Sequence, residues 1–141
     1  ASNALKHTPP LGMLRGFATI RSGEHKKQLD LKHSGVVPVV DLARIYALQG
    51  RLKPVNTRAR LEAAGEARLL SQQGADDLLA AYDTIAETRL RHQARRVEQG
   101  AAPDNYMAPE ALPHLERSHL RDAFVVVKGL QSSLGHGRNV G

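Results

Sequence analysis

The 141-residue sequence contains no cysteine and no tryptophan, and only 4% of its residues are aromatic. Without cysteine it can form neither a disulfide framework nor a thiolate metal site, which fits a reducing compartment, and we expect a cytoplasmic location. Scarce aromatic side chains disfavour binding of single-stranded nucleic acid, which relies on stacking. Since no apolar run approaches the roughly 20 residues that span a bilayer, we expect no membrane partner.

The length is enough for one domain. Residues 1–4 have the composition of an expression scar, and no initiator methionine precedes them. We therefore expect a piece of a longer protein. Its organisation is predicted to be an entry or linker segment over residues 5–16, a helical domain over residues 17–134 and a tail over residues 135–141.

The positive charge is concentrated in the first half of the chain. Residues 1–70 hold 12 basic and 5 acidic residues, a net charge of +7, whereas residues 71–141 hold 8 and 9, a net charge of −1. A basic half favours a polyanionic partner, such as nucleotide phosphates, nucleic acid or an acidic neighbouring domain. The charges are scattered rather than clustered, so a solvated basic surface is the alternative.

The first third of the chain predicts a β-hairpin followed by a buried helix. Residues 17–20 are β-prone, residues 21–24 supply turn residues, and residues 28–32 alternate polar and apolar side chains. Gly35 is expected to break the chain. Pro38 suits the first turn of a helix over residues 38–49 that ends at Gly50 and is apolar almost all round, as in a central, buried helix.

Three further helices are predicted. Thr57 is the expected N-cap of a short helix to residue 67, and Ser71 the N-cap of a long helix over residues 72–99 that Gly100 ends. The long helix has a predicted core stripe of Leu79, Tyr82, Ala86, Leu90, Gln93 and Val97, with Leu78 and Ile85 alongside. The last helix spans residues 113–134 with a stripe of Leu120, Ala123, Phe124, Val127, Leu130 and Leu134. These patterns predict a mostly α fold, an antiparallel bundle of about four helices with a short N-terminal β-hairpin.

Several polar residues lie where an apolar core would not need them. Asp41 and Arg44 share one face of the first helix, either as an internal ion pair or capping contacts, or as ligand contacts at a cleft wall. Gln93 and Gln131 lie within apolar stripes, either as buried amides that bond to each other or to the backbone, or as the lining of a pocket between helices.

A second polar group lies at the end of the long helix and in the loop after it. Arg89, His92 and Arg96 have the spacing of one helical face and could hold phosphate or carboxylate oxygens, or form a solvated edge; Arg117 and Arg121 could contribute similarly from the last helix. Asp104 and Asn105 either make local turns or contact a ligand. The seven histidines show no zinc spacing, and no phosphate loop or nucleophile elbow is present.

The ordered set of short motifs resembles a known family. It comprises Pro10-Leu11-Gly12, Arg15-Gly16-Phe17, Leu29-Asp30-Leu31-Lys32, Pro38, Val40-Asp41-Leu42-Ala43-Arg44, Arg91-His92-Gln93, Pro103-Asp104-Asn105, Arg117, Leu120, Phe124 and Gln131. Together they look like the C-terminal "putative nucleotidyltransferase substrate-binding domain", over nearly the whole chain. In that family the domain follows a nucleotidyltransferase domain similar to that of PII-protein uridylyltransferases, often with CBS and cyclic-nucleotide-binding modules, in bacterial signalling proteins.

The resemblance implies a helical bundle that closes the cleft of an upstream catalytic domain and orients a nucleotide or protein acceptor. Such transfer needs a Gly-Ser turn and paired aspartates that hold two metal ions. This chain has neither a Gly-Ser pair nor an Asp-x-Asp, so we expect no catalytic residues, no metal and no cofactor here, and Mg²⁺ in the missing catalytic domain. The residues expected to face the cleft and bind substrate are Arg44, Arg89, His92, Gln93, Asp104, Asn105 and Arg117.

Two other functions compete with substrate binding. The first is a regulatory or scaffolding bundle that docks on another domain or forms a homodimer. The second, an independent helical ribonuclease, rests only on an Arg and His spacing at Arg89 and His92 that chance easily matches.

Overall fold

The computed structural model describes Thr19 and residues 27–140, with the backbone alone for residues 135–140. Within these residues lie two short strands and four α-helices: β1 (Leu29–Asp30), α1 (Val37–Gly50), α2 (Thr57–Glu66), α3 (Gln72–Glu98), β2 (Tyr106–Met107) and α4 (His114–Val140). The mostly α class and the predicted set of four helices are confirmed. None of the described helices is long and apolar enough to cross a membrane.

The two strands join distant parts of the chain. β1 pairs with β2 in the antiparallel sense, with Leu29 opposite Met107 and Asp30 opposite Tyr106. Thr19 forms an antiparallel bridge with Leu29, as the predicted hairpin requires, and the rest of the hairpin's first strand lies outside the described residues. The pairing with β2 was not predicted, because no local pattern links residues so far apart in sequence.

The turn before α1 is helical and contains Gly35. Residues Lys32–Val36 form a π-helical turn that continues into α1, and the Asp30 carboxylate accepts the His33 N–H at 2.9 Å. A Cβ atom at Gly35 would lie 2.7 Å from Ile85 Cγ2 and 3.3 Å from Phe124 Cζ. The prediction that Gly35 breaks the chain is therefore wrong: the glycine lets this turn approach α3 and α4 closely.

α1 is buried on one side only. Val39, Leu42, Ala43 and Tyr46 belong to the core, whereas Leu48 is 73% exposed. The predicted helix is confirmed, with Pro38 in its first turn, but the prediction of burial all round is wrong. α1 has more apolar side chains than the neighbouring described elements cover.

The ends of α1 and α2 are built alike. Arg51 and Arg68 follow the two helices in the left-handed conformation, with φ of 52° and 60°. The next residues, Leu52 and Leu69, donate backbone hydrogen bonds to Ala47 and Ala64, which is the Schellman pattern. The left-handed residue after α1 is thus Arg51, and the predicted stop, Gly50, is the last helical residue.

One of the two predicted N-caps is confirmed and the other is wrong. The Ser71 hydroxyl caps α3 by accepting the Gly74 N–H at 2.9 Å, as predicted. At α2 the cap is Asn56, whose side chain accepts the Ala59 N–H at 2.8 Å, so the choice of Thr57 was wrong by one residue. Both Asn and Thr favour this position, and the choice between neighbours depends on the path of the preceding linker.

α3 and α4 pack against each other in the antiparallel sense. Arg91 lies beside Glu116, while Asp77 shares a surface groove with Val126. The buried residues of α4 are Leu120, Ala123, Phe124 and Val127, as its stripe predicted. Its backbone stays helical to Val140, beyond the predicted end near residue 134.

The buried face of α3 differs from the predicted one. Its buried residues are Ala75, Leu78, Ala81 and Ile85, while Leu90 and Val97 of the predicted stripe are 65% and 59% exposed. Leu79 and Tyr82 are only partly buried. The stripe prediction is therefore wrong for the second half of the helix.

Candidate functional site

The buried face of α3 turns polar along its length. Beyond Ile85, helical spacing brings Arg89, His92 and Arg96 to the side that Ala81 and Ile85 occupy earlier. This side faces the loop over residues 99–105, which leads back to β2. Polar residues occupy the face because the loop supplies polar partners there.

Asp104 is the centre of the contacts between this loop and α3. Its Oδ1 lies 2.7 Å from His92 Nε2 and accepts the Tyr106 N–H at 3.1 Å, and its Oδ2 lies 3.3 Å from Arg96 Nε. Arg96 Nε also donates to the Ala102 carbonyl at 2.7 Å. The side chains of His92 and Asp104 are 15% and 24% exposed, so these contacts are partly shielded from water.

The surroundings of Asp104 favour its ionised form. Partial burial by itself would raise the pKa of this carboxyl, but hydrogen bonds from His92 and the Tyr106 N–H, together with the positive charge of Arg96, lower the pKa overall. The carboxylate therefore stays charged and holds the loop across the neutral pH range.

Asn105 forms a second attachment beside the first. Its side-chain oxygen accepts hydrogen bonds from Arg89 Nε at 2.6 Å and Gln93 Nε2 at 3.3 Å. Its backbone carbonyl accepts the Leu31 N–H at 2.8 Å, which links the loop to the residue after β1. Three parts of the chain therefore meet at Asn105.

The structure thus brings together five of the predicted substrate-binding residues, listed as Arg89, His92, Gln93, Asp104 and Asn105. We call this group the loop clamp, together with Arg96. Its side chains bond mainly to one another, so the geometry supports a role in fastening the loop to α3. Asp104 also makes the local turn contact that the sequence offered as the alternative.

The remaining predicted residues lie elsewhere. Arg44 is exposed on α1 and bonds to Asp41 at 2.6 Å, the ion pair that was one of the two interpretations, but on the surface. Arg117 is partly buried on α4, and within the described residues its side chain has no bonded partner. Gln131 is exposed, so the interpretation of two buried amides is wrong for Gln131.

A cleft of about 140 Å³ lies on the adjoining side of α3, where that helix faces the start of α4. We call it the α3–α4 cleft. Its lining residues are Thr84, Glu87, Thr88, Arg91, His92, Arg95, Met107, Leu112, Glu116 and His119. His92 belongs to both the loop clamp and the cleft, so the two features share a wall.

Charges of both signs line the α3–α4 cleft. Arg91 pairs with Glu87 one turn before it on α3, and its Nη1 lies 3.5 Å from Glu116 Oε1 on α4. Arg95 is exposed, and within the described residues its side chain has no hydrogen-bond or ion-pair partner. Among the described arginines that line the cleft, Arg95 is thus the one that remains available to an anionic ligand.

Most of the residues that line this cleft were not predicted from the sequence. Thr84, Thr88, Arg91 and Arg95 recur at the spacing of one helical face, a signal that was available. A polar face on a helix ordinarily indicates solvent exposure, so this one did not stand out. Its approach to Glu116 and His119 depends on how α4 packs.

Bonded polar side chains and a half-open cleft can bind and orient a ligand. Among the described residues, no group of three histidine, aspartate or glutamate side chains could hold a metal ion. The fold defines the class of this protein as a helical bundle domain with a cleft between α3 and α4.

The comparison with protein families is consistent with that class. The chain belongs to the family described as "Putative nucleotidyltransferase substrate binding domain", whose profile matches residues 1–137. The resemblance found in the sequence is thereby confirmed. No curated protein and no solved structure matches the chain.

Proposed function

We propose that this chain is a non-catalytic domain that positions the substrate of a nucleotidyltransferase, within a bacterial, cytoplasmic signalling protein. A separate upstream domain, similar to that of uridylyltransferases, carries out the transfer with Mg²⁺. The observation that carries the proposal is the α3–α4 cleft, with the available cation Arg95 at its wall, in a chain of this family.

A positioning role is consistent with the residues present. In-line transfer between oxygens needs paired carboxylates that hold metal ions, and the sequence has no Asp-x-Asp. Binding and orientation by themselves contribute several kcal/mol to catalysis, because they remove the entropy cost of bringing reactants together. The loop clamp keeps one wall of the cleft in place and so supports such a role.

The test is nucleotidyl transfer by the upstream catalytic domain, with labelled nucleoside triphosphates and cell extract as the source of acceptors. We expect labelling to strengthen when this chain is added in trans, and to fall by about tenfold with Arg95→Ala, which removes a charged contact. The matched control is Lys128→Ala, an exposed cation on α4 outside the cleft. Equal labelling with and without the chain, under conditions where the intact parent is active, would contradict the proposal.

A docking or regulatory bundle is the second candidate, and the exposed apolar residues of α3 favour it. Leu90 and Val97 lie two helical turns apart on one face and are 65% and 59% exposed. A homodimer through this face should dissociate when both residues are replaced by serine. Light scattering over a range of protein concentrations would detect this change, and a monomer at every concentration would contradict the homodimer.

A further inference from the structure

We propose that the α3–α4 cleft holds the acceptor of the transfer rather than the nucleoside triphosphate, and that it recognises an apolar group that carries a single anionic group. This inference rests on the proposed function and names the substrate class of the same site. Three properties of the cleft support the inference: its volume, the charges of its lining residues and the apolar residues at its base.

The size of the cleft limits what it can hold. Its volume of about 140 Å³ is well below the roughly 300–1,000 Å³ of sites that enclose a whole small molecule. The cleft therefore takes one group of a larger ligand. An acceptor anchored by one such group can extend its reacting end towards another domain, as a positioning role requires.

The charges of the cleft favour one anionic group and oppose several. The carboxylates of Glu87 and Glu116 both pair with Arg91, which leaves Arg95 as the available cation among the described lining residues. A single phosphate or carboxylate can bind the planar guanidinium of Arg95. A triphosphate would bring several negative charges near both glutamates, and like charges repel.

The floor of the cleft can contact one small apolar group. Met107 and Leu112 line the cleft and are 5% and 8% exposed, so they lie on its inner side and add only a small apolar area there. A methionine thioether makes favourable contacts with aromatic rings. Thr84 and Thr88 lie on the wall formed by α3, where the Thr88 hydroxyl already donates to the Thr84 carbonyl at 2.8 Å.

The test is a titration of the isotope-labelled 141-residue chain, followed by amide NMR shifts. The probes are phenyl phosphate, phenylacetate and ATP with Mg²⁺. We expect saturable shifts from one or both of the aromatic probes, each of which carries one anionic group, at residues 84–95 and 112–119, and at least about tenfold weaker binding of ATP. Arg95→Ala should weaken probe binding about fivefold or more, because a charge-assisted contact is lost, and Lys128→Ala should leave it unchanged.

The two aromatic probes also identify the anionic group that the cleft prefers. Tighter binding of either phenyl phosphate or phenylacetate supports the proposal and shows whether the acceptor carries phosphate or carboxylate. Saturable binding of ATP at these residues with equal or greater affinity overturns the proposal, as does the absence of saturable shifts from both aromatic probes. If the spectrum shows that Arg95→Ala is folded and this variant binds the probes with the same affinity as the parent chain, the role of Arg95 is overturned.

The outcomes separate this inference from the proposed function. If Arg95→Ala lowers nucleotidyl transfer but neither aromatic probe binds the cleft, the inference about the acceptor fails and the positioning role stands. If the probes bind but transfer does not depend on this chain, the positioning role fails.

Discussion

At the scale of single residues, Asp104 contributes more than its place in a loop indicates. Its carboxylate contacts a histidine, an arginine and a backbone N–H, and Asn105 beside it adds two more side chains. Replacement of Arg89 or His92 would therefore disturb the loop clamp as well as any ligand. For this reason Arg95, which is outside the clamp, separates binding from folding more clearly.

Asp104→Ala should lower the free energy of unfolding by about 2 kcal/mol, because the charged hydrogen bonds of a partly buried carboxylate are lost. The folded pKa of Asp104 lies below its ordinary value, so its stabilisation is present above that value, roughly pH 4, and is lost as pH falls through the folded pKa. Urea unfolding of both proteins between pH 7 and pH 2.5 measures this. The stability difference should shrink at the acid end, and a constant difference would contradict the assignment.

Two glycines provide a matched pair of substitutions. A Cβ atom at Gly35 would meet Ile85 Cγ2 at 2.7 Å, whereas nothing lies within 4 Å of a Cβ atom at Gly129. Gly35→Ala should therefore cost about 1–3 kcal/mol of stability by overpacking. Gly129→Ala should add roughly 0.5–1 kcal/mol, since alanine is the better residue within a helix.

Chemical denaturation of the two alanine variants measures both changes. We expect the free energy of unfolding to fall with Gly35→Ala and to rise with Gly129→Ala. A Gly35→Ala protein as stable as the parent would show that α3 and α4 can move away from the turn at little cost.

At the scale of elements, the ends of α1 and α2 differ from the usual sequence preference. Glycine is the common residue in the left-handed position that Arg51 and Arg68 occupy. The left-handed conformation costs a non-glycine residue about 1–2 kcal/mol, and a cation near a helix C-terminus offsets about 0.3–1 kcal/mol. The two effects leave a net cost at each position.

Arg51→Gly and Arg68→Gly should therefore each raise the free energy of unfolding, by roughly 0.5–1 kcal/mol. Lys53→Gly is the control, because Lys53 is an exposed cation in the same linker whose φ is not positive. Calorimetric melting of the three variants would compare them. A loss of stability at Arg51 and Arg68 as large as that at Lys53 would mean that the charge matters more than the backbone conformation.

At the scale of the whole molecule, the loop clamp and the α3–α4 cleft form one unit. His92 contributes to both, and Met107 of the cleft floor belongs to the strand that pairs with β1. The beginning of the described chain, the loop and two helices therefore hold the cleft together. A substitution that weakens the loop clamp should therefore also weaken ligand binding in the α3–α4 cleft.

Asp104→Asn should weaken binding of phenyl phosphate and phenylacetate, because it loosens the His92 wall while it preserves the shape of the side chain. We expect a loss of about threefold to tenfold, the size of a weakened charged hydrogen bond. Arg58→Ala is the control, since its ion pair with Asp83 lies at the junction of α2 and α3, away from the cleft. Amide NMR titration of both variants measures the difference, and equal affinities would show that the cleft is independent of the clamp.

Five features could be predicted from the sequence alone: the helical class, the four helices, the Ser71 cap, the core face of α4 and the family. These features depend on residues within a few turns of one another or on an ordered set of short motifs, so they can be recognised without coordinates. For residues 89, 92, 93, 104 and 105, the sequence predicts only that they lie near one another. Which side chains bond to each other depends on the path of the loop.

Tertiary structure decided which face of α3 is buried. α2 has 10 residues and α3 has 27, lengths of about 15 Å and 40 Å. α2 therefore covers only the first part of α3, where Gly65 meets Ala75 and Arg58 meets Asp83. Beyond it, the apolar stripe that includes Leu90 has no cover within the described chain, whereas the polar residues after Ile85 meet the loop. Periodicity defines a face of a helix, but the length and position of its neighbours determine whether that face is buried.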